Sequence, residues 1–175
     1  VHAEPDPAPA APADLTLELP TLAHTLALGA ALGRRLTAGD LVILSGSLGA
    51  GKTALTKGIG AGMGVAGVIT SPTFVLARVH PAAPGGVPLV HVDAYRLSGT
   101  VELDDLDLDT DLTASAVVVE WGEGIADGLA DARLVVHLER LPDDTRVATL
   151  TPIGGDWAER SAGLEHLPDP GVSRI

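Results

Sequence analysis

The stretch Gly46-Ser47-Leu48-Gly49-Ala50-Gly51-Lys52-Thr53 fits the phosphate-binding pattern G-x-x-x-x-G-K-[ST] at every fixed position. Before it stands Leu41-Val42-Ile43-Leu44, a short apolar run that reads as a buried parallel strand. After it, residues 54–63 place Leu55, Ile59 and Met63 at helical spacing. Gly46, Gly49 and Gly51 permit backbone angles that a side chain forbids, so the loop can turn its N–H groups inward around a phosphate chain. The helix behind adds free N–H groups and the positive end of its dipole. In such a loop Lys52 reaches the β- and γ-phosphates, and the Thr53 hydroxyl sits on Mg²⁺. The candidate nucleotide-binding residues are therefore Leu48, Gly49, Ala50, Gly51, Lys52, Thr53 and Ala54.

The rest of the chain predicts an α/β protein: a three-layer P-loop NTPase fold with a mostly parallel central sheet and an antiparallel hairpin portion. A length of 175 residues suits one domain with a substantial core. With four aromatic residues in all, that core must be built on aliphatics, as in Val-, Ile- and Leu-rich strands. Residues 1–13 are Ala- and Pro-rich and read as a disordered tail. Residues 14–153 form the expected nucleotide-binding domain, and 154–175 a C-terminal helix and tail. Within the domain, alternation predicts a strand over 14–19, then a helix over 21–36 with Thr21 as N-cap. Further strands are expected at 74–80, 89–93 and 116–120. Short helical turns with an acidic face are expected over 100–112, a short helix over 125–129, and a hairpin from 133–139 and 146–151.

A net charge of −12 argues against a surface that grips nucleic acid by itself, since phosphate contacts need clustered Lys and Arg. The absence of cysteine excludes disulfides, thiol catalysis and thiolate metal sites. No apolar run reaches membrane-spanning length and no signal-peptide layout is seen, so the expectation is a cytoplasmic protein without a membrane partner.

Two apolar runs end in a carboxylate: Val90-His91-Val92-Asp93 and Val117-Val118-Val119-Glu120. In a parallel sheet such ends gather at the edge that carries the phosphate loop. An acid there can hold Mg²⁺ or its waters, and another can orient the attacking nucleophile. The sequence does not divide the two roles. The assignment adopted puts Glu120 with Thr53 at the metal, and Asp93 on the metal's waters or orienting the nucleophile; Lys52, Asp93 and Glu120 are the candidate catalytic set. Thr73, in Ser71-Pro72-Thr73, is a candidate sensor of the γ-phosphate, with an ordinary turn as its alternative. Trp121 either packs on the nucleotide, meets a partner or fills the core. Arg96 and Arg146 are candidate phosphate partners, though a structural arginine is the heavier reading for each. His91 shares a strand face with Asp93 and reads as a satisfied buried histidine.

These blocks together resemble the TsaE (YjeE) family, the small bacterial ATPases of tRNA threonylcarbamoyladenosine biosynthesis. The resemblance rests on the phosphate loop, Ser71-Pro72-Thr73-Phe74, His91-Val92-Asp93-Ala94-Tyr95-Arg96-Leu97, Glu102-Leu103 and Val119-Glu120-Trp121, in that order, over roughly residues 14–151. One departure is Ser47, where the family often has Asp; that position is variable in the loop pattern. The resemblance implies ATP and Mg²⁺ as ligands and slow hydrolysis by the chain alone. It implies docking on the threonylcarbamoyl transferase TsaD with its partner TsaB, with tRNA held by those partners. It also implies that the first helix lies near the adenine, so that Thr25, with Thr21 beside it, helps bind the base.

Two other classes compete. A small-molecule kinase on the same fold needs an arginine-bearing lid, yet the region between the two carboxylate strands is acidic and arginine-poor. A nucleotide-gated binding module without useful turnover leaves the two carboxylates unexplained. A GTPase is excluded by the lack of an Asn-Lys-x-Asp segment.

Overall fold

The computed structural model describes residues 12–72, 76–97 and 112–170. The elements are β1 (Leu15–Leu19), α1 (Leu22–Gly33), β2 (Leu41–Ser45), α2 (Lys52–Met63), β3 (Ala77–His80), β4 (Leu89–Asp93), β5 (Ala116–Glu120), β6 (Arg133–Arg140), β7 (Arg146–Ile153), α3 (Trp157–Ser161) and a 3₁₀ turn at Leu164–His166. The strands form one seven-stranded sheet in the order β1-β7-β6-β2-β5-β4-β3. Its centre is parallel: β2 lies between β5 and β6, and β4 continues beyond β5. Its margins are antiparallel, with β3 on β4 at one side and β7 and β1 beyond β6 at the other.

Strands β2, β4 and β5 are buried along their whole length, which explains their unbroken apolar runs. Alternation then divides each strand between two cores. Val42, Leu44, Leu89, Ala116 and Val118 pack with Leu28, Leu32, Leu55 and Ile59 of α1 and α2. Leu41, Ile43, Val90, Val92, Val117 and Val119 pack on the other side with Ala94, Leu112 and Ala126. The period of two carries His91, Asp93 and Glu120 to the face that bears α2. The phosphate loop joins β2 to that helix, so both strand-end carboxylates arrive beside it.

Glycines let α1 and α2 approach closely. A Cβ added at Gly33 would lie 2.1 Å from the Ile59 carbonyl oxygen, and one at Gly62 2.1 Å from that of Ala30. Gly33→Ala gains helix propensity yet forces the two backbones apart; we expect a net loss of about 2 kcal/mol, read as a lower midpoint in urea. An unchanged midpoint would mean that the helices slide apart freely.

The C-terminal segment packs on the same core. Trp157 and Leu164 are buried there. The Arg160 guanidinium bonds both Asp40 carboxylate oxygens and the Arg35 carbonyl, and lies over the Trp157 ring. Its hydrogen bond to Asp40, above all, raises the Arg160 pKa from its ordinary value. This pins α3 to the turn between α1 and β2.

Several boundaries differ from the sequence reading. The first helix ends at Gly33 rather than 36, and α2 begins at Lys52 rather than 54. Residues 125–129 form turns: Ile125 and Ala126 N–H groups both donate to Gly122 O, and the bonding stops short of a helix. The third strand begins at Ala77, after a bend at Leu76, and residues 74–75 of that expectation lie outside the described residues. The expectations for residues 1–11, for Thr73 and for the acidic stretch up to residue 111 lie outside the described residues.

Candidate nucleotide-binding site

The loop from Gly46 to Gly51 is held by close approach and by left-handed backbone. Gly46 has φ of 130°, and a Cβ there would stand 2.2 Å from the Leu138 carbonyl oxygen. Gly51, the residue before α2, has φ of 109°. Ala50 is fully buried, and its N–H is bonded to Ser47 O. The α2 N-terminus opens into a cavity of about 440 Å³. Leu48, Gly49, Gly51, Lys52, Thr53 and Ala54 line one side of it; Ser71, Asp93, Tyr95, Arg96, Glu120 and Trp121 line the other. A smaller hollow of about 190 Å³ beneath the C-terminal segment shares none of these residues.

Glu120 is buried and collects hydrogens. Thr53 Oγ1 lies 3.0 Å from Oε1 and 3.1 Å from Oε2, and His91 Nε2 lies 2.7 Å from Oε1. Asp93 sits opposite Glu120 in the β4–β5 register. Its Oδ2 accepts from the Ser71 hydroxyl at 2.9 Å, and its Oδ1 from the Tyr95 N–H at 3.0 Å. The sequence assignment of Thr53 with Glu120 thus corresponds to a direct contact, while Asp93 stands apart, tied to the segment around Ser71.

Lys52 folds back on the loop. Its Nζ donates to Gly46 O at 2.7 Å and Ser47 O at 2.9 Å, and lies 3.8 Å from the centre of the Trp121 ring. Burial lowers the Lys52 pKa from its ordinary value, and the charges of Glu120 and Asp93 act against that shift. Trp121 has φ of 62°, unusual for a bulky residue, and this turn after β5 brings its ring against Tyr95, 4.9 Å between centroids. Leu48 and Tyr95 are 83% and 60% exposed, so the cavity mouth carries apolar surface.

The other candidates lie further out. Arg146 Nη2 donates to Gly49 O at 3.3 Å and Nη1 to the Asp144 carbonyl, so it braces the loop from behind. Thr25 is buried behind Gly51 and is not among the residues lining the cavity. Sequence reasoning missed Ser71 as the Asp93 partner and Tyr95 as the Trp121 partner. It also missed Arg140, whose Nη1 lies 3.8 Å from where a Gly49 Cβ would stand. No local pattern marks Arg140; only the β6–β7 hairpin brings it there.

Among the described residues no group of three or more His, Cys, Asp or Glu could hold a metal ion by itself, and no helix is long and apolar enough to cross a membrane. The residues present nonetheless suit Mg²⁺ with a nucleotide. The donor set is one hydroxyl and one carboxylate, hard oxygen ligands that leave the remaining positions to waters and phosphates. Gly49 and Gly51, both in left-handed backbone, line a cavity of about 440 Å³ beside these oxygens.

The family model "Threonylcarbamoyl adenosine biosynthesis protein TsaE" matches residues 19–148. The chain belongs to the TsaE family. A TsaE of Streptomyces coelicolor is 57% identical over 136 residues, covering 75% of this chain and 92% of the relative. A TsaE of Bacillus subtilis is 39% identical over 120 residues, covering 68% and 73% respectively. The crystal structure of YdiB from Bacillus subtilis superposes with a TM-score of 0.72 at 28% identity, over 88% of this chain and 95% of that one. The matched span contains the whole run of motifs from the phosphate loop to Val119-Glu120-Trp121.

Trp121 offers a direct probe. With Trp157 replaced by Phe, ATP addition should change Trp121 emission as Lys52 leaves the indole face. A titration without any change would move Trp121 to packing or partner contact.

Proposed function

We propose that this chain binds ATP with Mg²⁺ in the cavity at the α2 N-terminus, hydrolyses it slowly when alone, and supports the TsaD–TsaB transferase in threonylcarbamoyladenosine modification of tRNA. The observation that carries the reading is the Thr53–Glu120 contact at the mouth of the glycine loop, beside the buried ammonium of Lys52. Thr53 and Glu120 would hold Mg²⁺, which when bound neutralises phosphate charge. Lys52 exchanges its two loop carbonyls for phosphate oxygens. The loop N–H groups and the α2 dipole favour the anionic chain. Asp93, held by the Ser71 hydroxyl and the Tyr95 N–H, would orient the attacking water. Tyr95 and Trp121 line the cavity with their rings 4.9 Å apart, an apolar surface on which the nucleotide would pack.

The acidic balance of the chain fits a division of labour in which TsaD and TsaB carry the tRNA. A cytoplasmic location follows from that role. Phosphate release from ATP, followed while Mg²⁺ is titrated, tests the site. Turnover that saturates with Mg²⁺ and needs no added acceptor supports it. Phosphate appearing on an added small-molecule acceptor instead would establish a kinase, and nucleotide binding without turnover a silent binding module.

A further inference from the structure

We propose that His91 is a positioning residue that fixes the Glu120 carboxylate for the metal. The inference rests on the Mg²⁺–ATP reading of the same cavity. His91 is fully buried, and its Nε2 lies 2.7 Å from Glu120 Oε1. A carboxylate can only accept, so the hydrogen is on Nε2. Nδ1 has no hydrogen-bond partner among the described residues. An unpartnered ring nitrogen in a buried site is costly, and an aliphatic side chain would fill the same space without it. Packing therefore does not explain a histidine here; the bond to Glu120 does.

The two oxygens of Glu120 are then unequal. Oε1 is held by His91 and touches the Thr56 hydroxyl at 3.5 Å, the limit of a hydrogen bond. The Thr53 hydroxyl is shared, 3.0 Å from Oε1 and 3.1 Å from Oε2, and it is the one partner of Oε2 among the described residues. Oε2 and Thr53 are the pair that can turn to a cation while Oε1 stays tethered. The tether comes from the neighbouring strand, since His91 lies on β4 and Glu120 on β5. It stiffens a side chain that otherwise has three rotatable bonds. Groups that orient a metal's ligands in this way typically change metal affinity by 10- to 100-fold when removed.

The test uses the full chain and a fluorescent ADP, bound first in EDTA and then across a Mg²⁺ titration, with ATP turnover measured in parallel. His91→Leu should raise the half-saturating Mg²⁺ concentration by roughly 10-fold or more. Affinity in EDTA should stay within about two-fold, since the phosphate loop is untouched. His91→Gln places an amide nitrogen near the Nε2 position and should restore most of the Mg²⁺ response. His91→Asn ends near Nδ1, cannot reach Glu120, and should behave like His91→Leu; it carries the test if the leucine variant does not fold. A tether that is merely structural would shift both binding curves equally, or leave Gln no better than Asn, and either result overturns the inference. If the unaltered chain shows no Mg²⁺ response, the ATPase reading falls and the role of His91 with it. If it responds and His91→Leu matches it, only the role of His91 falls.

Discussion

Lys52→Ala is expected to lower ATP turnover by about 10²- to 10³-fold, to near the limit of detection, and to weaken nucleotide binding with it. The ammonium is the one positive side chain inside the glycine loop, bonded to the Gly46 and Ser47 carbonyls and lying over the Trp121 ring beside the cavity. Burial disfavours its charge, and the carboxylates of Glu120 and Asp93 offset that only in part. Its removal should therefore leave the folded state intact, with a thermal midpoint close to that of the parent. Loss of nucleotide binding in calorimetry at an unchanged midpoint is the expected pair of results. Normal turnover would sink the assignment of the site.

Glu120→Ala should reduce Mg²⁺-dependent hydrolysis by about 10²-fold while Mg²⁺-free nucleotide binding changes little. This variant also strips His91 and Thr53 of their shared acceptor. A stability loss of about 1–3 kcal/mol is expected from those unsatisfied donors. Glu120→Gln retains an acceptor and should recover part of that stability without recovering the hydrolysis. The comparison separates the charge of the carboxylate from its place in the network. Equal loss of hydrolysis and of Mg²⁺-free binding in both variants would make Glu120 a structural residue.

The glycine loop, its strand and its helix were legible because they are contiguous, and every constraint on them is local. The carboxylates were legible for a related reason: a parallel strand buried on both faces reads as an apolar run, so the charge that ends it stands out at Asp93 and Glu120. Their partners were less legible. The His91–Glu120 bond needs the β4–β5 register, and the Thr53–Glu120 bond needs α2 seated over β5; neither is written in local spacing. Ser71 and Tyr95 reach their partners through loops that no periodicity describes. Residues 125–129 read as helical from their apolar spacing, yet the three glycines at 122, 124 and 128 favour turns, and the chain there serves to cover the second core with Ala126. A C-terminal helix was expected within 154–175, but at five residues it is too short for a pattern to give its bounds; Trp157 and the Arg160–Asp40 pair hold it in place.

The most direct test of the central claim is tRNA modification over many turnovers by TsaD and TsaB, with and without this chain and ATP, counting ATP consumed at the same time. Repeated modification should require both the chain and hydrolysable ATP, and the Lys52→Ala chain should not substitute. Sustained modification at the same rate without the chain, while the chain itself still consumes ATP, would contradict the assigned role and leave only the nucleotide site standing.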